Sequence, residues 1–191
     1  MEKAELARKV QEACYLEGDF VLRSGQAANF YFDKYRFEAD PSLLSAVAQF
    51  AAPLIPPGTE ILAGLELGGV PISTALSLLT GLPQVMVRKQ AKTYGTAKLA
   101  EGPDIAGRRL LIVEDVVTTG GQVVLSAQDL RARGGQVSSV LCIIDRRPPT
   151  ANGPGGGPGA GATGQEDKLQ AAGLQLVPLF GLDDLLPAPR A

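Results

Sequence analysis

Apolar residues along the chain follow a helical period near the N-terminus and form short, nearly continuous runs elsewhere. Leu6, Val10, Ala13 and Cys14 recur at helical spacing, which predicts an amphipathic helix over residues 2–14. These runs, nearly continuous in apolar residues, predict buried strands at residues 61–64, 84–87, 109–113, 137–144 and 174–180. Because helical stretches separate several of these runs, we expect an α/β fold with a central, mostly parallel sheet flanked by helices on both faces.

The segments between the runs complete this outline. Asp40 followed by Pro41 marks a helix start, since Asp is a favoured N-cap and Pro suits the first helical position. That helix is expected to end near Ala52. The remaining expectations are N-terminal strands at residues 20–22 and 29–33, helices ending near 79 and covering 121–133 and 166–172, a long loop at 89–103 and a terminal turn at 182–186.

Residues 148–164 interrupt the alternation of strands and helices. Eleven of these seventeen residues are Gly or Pro and none is charged, so the segment cannot bury a core of its own. We interpret it as a flexible insertion, because strand and helix patterns resume after it. A chain of 191 residues has the length of one domain. The sequence therefore predicts a single domain over residues 1–191 with this Gly/Pro-rich insertion inside it.

Composition narrows the chemistry that the chain can perform. It has no histidine and two cysteines, which excludes imidazole bases, His-dependent nucleophiles and four-thiolate zinc sites. A net charge of −2 provides no bulk attraction for nucleic acid. The charged N-terminus lacks a signal-peptide pattern, and Pro and Gly interrupt the longest uncharged stretches, so we expect a cytoplasmic protein without a membrane span. Cys14 and Cys142 are expected to be buried free thiols.

The strongest candidate site lies at residues 110–121, where an apolar strand ends in Glu114 and Asp115 and continues through Thr-Thr-Gly-Gly into a helix. Ligands bind at the carboxyl ends of strands in open parallel sheets. The free N–H groups and the dipole of a helix start favour an anion. We therefore expect a phosphate monoester at residues 118–121, which we name the phosphate loop.

Two acids beside a phosphate require a reason, because they would repel it. Contacts with the hydroxyls of a ribose phosphate, or with a nearby Mg²⁺, supply that reason. Since successive strand residues point to opposite faces, Glu114 and Asp115 are expected to have different roles unless the strand has already ended. The alternative interpretation is a solvated strand end followed by an ordinary turn.

A second candidate is the basic segment that contains Arg88, Lys89 and Lys92, three cations within five positions. Arg can bind a pyrophosphate bidentately, and Lys acts on it as a point charge. Gly95 and Gly102 bracket a stretch that could move as a lid. The alternative interpretation is a solvated basic loop.

Residues 110–121 resemble the phosphoribosyl pyrophosphate (PRPP) motif of the type I phosphoribosyltransferases. Residues 88–102 resemble the mobile active-site loop of the orotate phosphoribosyltransferases, and residues 20–25 with the aromatic strand at 29–33 resemble the N-terminal segment of that family. Two shorter segments also match, at 64–71 and 144–146. The PRPP motif is common to many phosphoribosyltransferases, whereas its combination with the segments at 20–25 and 88–102 is specific to the orotate family.

The resemblance implies a type I phosphoribosyltransferase fold with a small N-terminal hood and a mobile loop, and it implies site residues. The catalytic residues that it implies are Lys92, Glu114 and Asp115. PRPP binding falls to Arg88, Lys89, Lys92, Tyr94, Glu114, Asp115, Val116, Val117, Thr118, Thr119, Gly120, Gly121 and Gln122. In this set the phosphate loop would bind the 5′-phosphate. The two acids would contact the ribose, and the cations would bind the pyrophosphate. Orotate binding falls to Thr118, Arg146, Arg23, Phe30 and Tyr31.

The implied reaction joins orotate to PRPP, giving orotidine 5′-monophosphate and pyrophosphate in de novo pyrimidine biosynthesis, with Mg²⁺ bound mainly through PRPP. The resemblance also implies a homodimer in which residues 89–103 reach the partner's site, with no nucleic acid or membrane partner. Three alternatives stay open: a phosphoribosyltransferase for another base, a PRPP-binding regulator, and an inactive scaffold that uses residues 148–164 as a tether.

Overall fold

The computed structural model describes residues 1–21, 25, 27–89, 99–147 and 167–185. The described helices and strands are, in chain order, α1 (Lys3–Cys14), β1 (Tyr15–Val21), β2 (Ala27–Phe32), α2 (Tyr35–Ala39), α3 (Pro41–Ala51), β3 (Ile61–Leu65), α4 (Gly69–Thr80), β4 (Gln84–Val87), β5 (Ala100–Glu101), β6 (Arg109–Val117), α5 (Gly121–Ala132), β7 (Gln136–Asp145), α6 (Lys168–Ala171), β8 (Gln175–Gly181) and α7 (Leu182–Leu185). Every strand expected from a nearly continuous apolar run is present.

The central sheet has six strands in the order β5-β4-β3-β6-β7-β8. Neighbouring strands from β4 to β8 are parallel, and β5 pairs antiparallel at the edge. Side chains of the sheet enter two cores, because the strands alternate their residues between faces. Leu111 and Leu141 pack with α1, α3 and α4, whereas Ile112 and Val140 pack with α5 and α6. The expected α/β class, with helices on both faces of a mostly parallel sheet, is confirmed.

The strand order brings the carboxyl ends of β3, β4 and β6 to one edge of the sheet. From β3 the chain moves outward to β4 and β5, and then crosses to β6 on the other side of β3. This reversal between β3 and β6 opens a crevice at the carboxyl edge, which is where open α/β sheets bind their ligands. The segments after β3, β4 and β6 therefore lie next to one another.

Strand β6 continues past its expected end at residue 113. Its ladder with β7 extends through the pairs of Glu114 with Cys142 and of Val117 with Asp145. Hydropathy could not show this extension, because two acidic residues within a strand look like a strand end. The expected loop at 89–103 likewise contains the two-residue strand β5, whose length is too short for any periodic signal.

The N-terminal region forms a separate two-stranded hairpin. Strands β1 and β2 pair antiparallel, with an irregularity between Glu17 and Phe20. Helix α2 was not expected from the sequence, since it spans a single turn and buries one apolar side chain, that of Phe37, beside the acidic Glu38. Helix α3 begins as expected, with the Asp40 carboxylate accepting hydrogen bonds from the N–H groups of Ser42 and Leu43.

Three further expectations concern the insertion, the thiols and the membrane. The insertion at 148–164 lies outside the described residues. Cys14 and Cys142 are free and buried, as expected. Among the helices of the described ranges, none has the length and apolar character needed to cross a lipid bilayer.

Candidate active site

The phosphate loop joins β6 to α5 at the carboxyl edge of the sheet. Thr118 and Thr119 are exposed, and Gly120 has a φ of 71°, a left-handed value that favours glycine. In the described part of the chain no side chain caps the start of α5. Its first N–H groups are therefore available to an anion, and the helix dipole adds to the attraction.

Helix α6 supports the phosphate loop through a direct contact. A Cβ atom added to Gly120 would lie 2.9 Å from Cγ of Leu169, which is closer than ordinary contact. Leu169 is itself buried. The loop consequently packs on α6 with no space for a side chain at Gly120.

The two acids of the motif have different environments. Asp115 is completely buried, while Glu114 keeps partial contact with solvent. Burial raises the pKa of Glu114 to about 9, and its hydrogen bond to Asp115 and the charge of that residue add to the effect. Burial alone would also raise the pKa of Asp115, but hydrogen bonds from Glu114 and Lys34 outweigh it and hold this pKa below its usual value. Of the two acids, Glu114 therefore holds a proton more tightly, and Asp115 is the more acidic.

Two residues from the N-terminal region complete the surroundings of Asp115. Lys34 forms an ion pair with Oδ2 of Asp115. Glu38, on α2, is buried nearby, and its burial together with the charge of Asp115 raises its pKa to about 8. We call Lys34, Glu38, Glu114 and Asp115 the acid cluster. Sequence reasoning missed Lys34 and Glu38, because neither belongs to a recognisable motif and only the chain fold brings them to β6.

The turn between β3 and α4 closes over the acid cluster. A Cβ atom on Gly68 would fall on the Asp115 carboxylate and within 2.9 Å of Oε1 of Glu38. A Cβ atom on Gly69 would lie 2.2 Å from the carbonyl oxygen of Val113. Glycine at both positions lets this turn lie directly against β6, so the Gly-Gly pair in residues 64–71 has a steric reason.

The start of the basic segment lies beside the same turn. The backbone N–H of Lys89 donates to Oε1 of Glu66 at 2.5 Å, and Arg88 lies 3.5 Å from Glu101 on β5. These contacts hold the segment's first residues at the carboxyl end of β4, next to the crevice. Lys92 and Tyr94 lie outside the described residues, as does Arg23.

The end of β7 carries the two arginines of the Asp-Arg-Arg sequence. Arg146 is exposed, and its backbone N–H donates to the carbonyl of Val117, which places it beside the phosphate loop. Arg147 instead forms ion pairs with Asp145 at 2.9 Å and with Asp167 at 2.8 Å. Arg147 was not predicted from the sequence as a site residue, because its partner Asp167 lies beyond the insertion.

The aromatic residues expected to contact a pyrimidine lie on the N-terminal hairpin. The ring of Phe30 stacks on Tyr15 and that of Tyr31 lies against Phe20, each with centroids 5.5 Å apart. Phe30 and Tyr31 are successive residues of β2, so their side chains leave opposite faces of the strand. Both keep nearly half of their surface exposed, and their role towards a base stays a prediction.

Comparison with known proteins identifies relatives of the chain. A scan against models of protein families gives no match. The orotate phosphoribosyltransferase of Nocardioides sp. is 59% identical over 145 residues, which cover 76% of this chain and 81% of that protein. A crystal structure of the orotate phosphoribosyltransferase of Mycobacterium tuberculosis H37Rv is 30% identical, with a TM-score of 0.75, and covers 96% of this chain and 98% of that one.

A second crystal structure of the M. tuberculosis enzyme, in complex with PRPP, is 27% identical with a TM-score of 0.73, and covers 96% of this chain and 98% of that one. The strand order, the acids at the end of β6 and the uncapped start of α5 define the fold of a type I phosphoribosyltransferase. Within that class, the identity to curated relatives shows that the chain belongs to the orotate phosphoribosyltransferase family.

Proposed function

We propose that the chain transfers the phosphoribosyl group of PRPP to orotate, giving orotidine 5′-monophosphate and pyrophosphate in de novo pyrimidine synthesis. The bond from the anomeric carbon to pyrophosphate breaks, and a bond from that carbon to a nitrogen of orotate forms. One observation carries the proposal: a glycine-containing phosphate loop, which leads into the uncapped start of α5, adjoins the Glu114–Asp115 pair in a chain that is 59% identical to an orotate phosphoribosyltransferase.

The phosphate loop binds the 5′-phosphate of PRPP in this proposal. The N–H groups at the start of α5 and the hydroxyls of Thr118 and Thr119 donate to its oxygens. Residues 116–122 together surround the phosphate. Glu114, the acid with solvent access, contacts the ribose hydroxyls. Asp115 acts from beneath it, since its carboxylate is buried and accepts hydrogen bonds within the fold.

The protonation of the acid cluster explains how two acids tolerate a polyanion. The pKa values of Glu38 and Glu114 are raised and Asp115 is paired with Lys34, so the four side chains carry less negative charge than three free carboxylates would. The electrostatic repulsion that two adjacent carboxylates would exert on PRPP is thereby reduced. A protonated Glu114 also offers a hydrogen-bond donor as well as an acceptor.

The pyrophosphate is the leaving group, and the basic segment stabilises it. Cleavage of its bond builds positive charge on the ribose ring and negative charge on the pyrophosphate. Arg88 and Lys89 start the segment at the edge of the crevice, and Lys92 and Tyr94 follow in the chain. Their cations and hydroxyl bind the developing charge when the segment closes over the substrates, and closure excludes water.

Mg²⁺ would enter this site bound to the phosphate oxygens of PRPP. Across the described ranges, no group of three or more acidic or cysteine side chains is arranged to hold a metal ion, and Asp115 is already paired with Lys34. Mg²⁺ commonly retains several waters and binds substrate phosphates. Bound through the pyrophosphate, it would neutralise charge on the leaving group, with Glu114 as the acid accessible to its water shell.

Orotate lies between the phosphate loop and the hairpin in this proposal. Thr118 and Arg146 are neighbours through the hydrogen bond that joins Arg146 to the end of β6, and both are exposed. Arg146 and Arg23 supply positive charge for the orotate carboxylate, and Phe30 or Tyr31 covers the ring. The chain acts as a cytoplasmic homodimer in which residues 89–103 of one subunit reach the partner's site.

The deciding experiment is a spectrophotometric assay of orotate consumption with PRPP and Mg²⁺. We expect orotate to disappear with stoichiometric release of pyrophosphate, and neither to occur without PRPP. A panel of purine and pyrimidine bases tested in the same way identifies the preferred acceptor. Pyrophosphate release with another base but not with orotate would contradict the proposal.

A further inference from the structure

Lys34 connects the N-terminal hairpin to the acids at the carboxyl edge of the sheet. It lies between β2 and α2, away from the central sheet in the chain, yet its Nζ atom pairs with Oδ2 of Asp115. Asp115 has no exposed surface. In the described structure Lys34 is the cation that reaches this buried carboxylate.

Every element that packs against the pair contributes to its surroundings. Helix α2 supplies Glu38, and the ring of Tyr35 lies 5.0 Å from Nζ of Lys34. Strand β6 supplies Glu114, and Asp33 at the end of the hairpin adds a more distant charge. Gly68 closes the remaining side, because any side chain there would strike Asp115. The Asp115 carboxylate thus has one position, defined by Lys34 on one side and by the backbone of the turn on the other.

We propose that Lys34 is a positioning residue for the transfer reaction: its ion pair holds Asp115 in place beneath the substrate site and prevents the acid cluster from repelling PRPP. This inference rests on the proposed function. Lys34 directly follows the hairpin in the chain. Its proposed role in the active site does not depend on any contact between the hairpin and orotate.

A purely structural role explains the pair less well. An ion pair with one fully buried member costs desolvation and adds little net stability compared with apolar packing. Here the pair lies next to Glu114, the acid assigned to the ribose, and under Gly68 of the turn that adjoins the basic segment. At this position the ion pair balances the charge of Asp115 and fixes its carboxylate beside the substrate site.

The first test replaces Lys34 with methionine, which keeps the length of the side chain and removes the charge. Without its counter-charge Asp115 is an unpaired carboxylate that repels PRPP at higher pH, and at lower pH it takes up a proton and loses the ion pair that fixes its position. We therefore expect kcat/KM for PRPP to fall roughly 10- to 100-fold, the order of loss found for groups that orient metal ligands. We also expect the acidic limb of the pH profile of kcat/KM for PRPP to move to higher pH. Lys34→Arg should retain the limb of the wild type.

The matched control is Lys9→Met, which removes an exposed lysine from an ion pair with Glu5 on α1 and should change neither quantity. All rates are measured where circular dichroism shows the variants folded. Loss of activity in Lys34→Met with an unmoved acidic limb, or full activity, would overturn the proposal. PRPP binding measured by calorimetry without orotate keeps the outcome separate from the identity of the acceptor base.

A second variant, Glu38→Gln, provides a separate test if Lys34→Met does not fold. Glu38→Gln keeps the shape of the side chain but cannot ionise. In the wild type, ionisation of Glu38 near pH 8 adds negative charge to the acid cluster, so PRPP binding should weaken above that pH. We expect Glu38→Gln to lose part of this alkaline decline. If the pH dependence of stability shows that Glu38 titrates near pH 8 and the alkaline profile of Glu38→Gln is nevertheless identical, the charge of the cluster does not influence PRPP and the proposal fails.

Discussion

Arg147 and Asp167 lie twenty positions apart in the chain and form an ion pair with an Nη1–Oδ2 distance of 2.8 Å. Arg147 also binds both carboxylate oxygens of Asp145, at the end of β7, while Asp167 caps the start of α6. The pair thus joins the two ends of the segment that contains the insertion. Since Leu169 of α6 supports Gly120, the same contacts hold the phosphate loop.

Replacement of Arg147 by methionine should destabilise the fold. Asp145 and Asp167, both largely buried, would lose their charged partner, and we expect the free energy of unfolding to fall by about 1–3 kcal/mol. Urea unfolding measures this change. The control Arg8→Met removes an exposed pair with Glu12 and should cost at most about 0.5 kcal/mol. Equal losses in the two variants would refute a special role for Arg147.

Deletion of residues 149–163, bridged by a short Gly-Ser linker, should leave the reaction almost intact. The ion pair between Arg147 and Asp167 keeps the two ends of the segment together without the insertion. Shortening the loop changes its closure entropy by less than about 1 kcal/mol. Orotate consumption and thermal unfolding test the expectation. An unfolded or inactive deletion variant would show that the insertion has a structural role in the protein.

Substitution of Gly120 by alanine should weaken both the fold and PRPP binding. Its left-handed φ costs an L-residue roughly 1–2 kcal/mol, and the added Cβ would strike Leu169. Gly107→Ala is a close control, because Gly107 has a φ of 72° and no atom within 4 Å of an added Cβ. The excess loss in Gly120→Ala measures the contact with α6, and Leu169→Ala in the same background should relieve it. Without any excess over Gly107→Ala, that contact has no energetic role.

Substitution of Lys92 by alanine should lower kcat far more than it weakens PRPP binding. A cation that meets the pyrophosphate as its charge develops acts mainly in the transition state, so we expect kcat to fall roughly 100-fold or more. Steady-state kinetics with calorimetric PRPP binding separate the two quantities. Lys98→Ala removes a cation from the same segment as a control. An unchanged kcat with only a raised KM would refute this role for Lys92.

The pKa of Glu38 predicts how stability depends on pH. Its value of about 8 in the folded protein exceeds that of an unfolded chain, so the folded state binds the proton more tightly. The resulting stabilisation is complete below the unfolded pKa and is lost as the pH rises through the folded pKa. Urea unfolding from about pH 5 to about pH 8.5 should therefore show a steeper loss of stability in the wild type than in Glu38→Gln. Equal slopes would place the Glu38 pKa near its ordinary value.

The motif and the element order could be predicted from the sequence because both are local. A helical period in α1, the Asp40–Pro41 start of α3 and the apolar runs of β3, β4 and β6 each lie within a few neighbouring residues. The strand–acid–acid–Thr-Thr-Gly string of β6 and the phosphate loop is also continuous. Such signals depend on side-chain chemistry and backbone preference, which the chain carries at every point.

The tertiary structure decided which residues surround that motif. Lys34 and Glu38 reach Asp115 only because α2 packs near β6, and Arg147 meets Asp167 only because α6 returns beside β7. The opposite pKa shifts of Glu114 and Asp115 likewise follow from burial, from the contact between the two acids and from Lys34, which is distant in the chain. The sequence by itself predicted a phosphate-binding loop and determined its place between a strand and a helix. Only the fold determined the charges around the acids, because burial and long-range pairing are properties of packed elements and not of neighbouring residues.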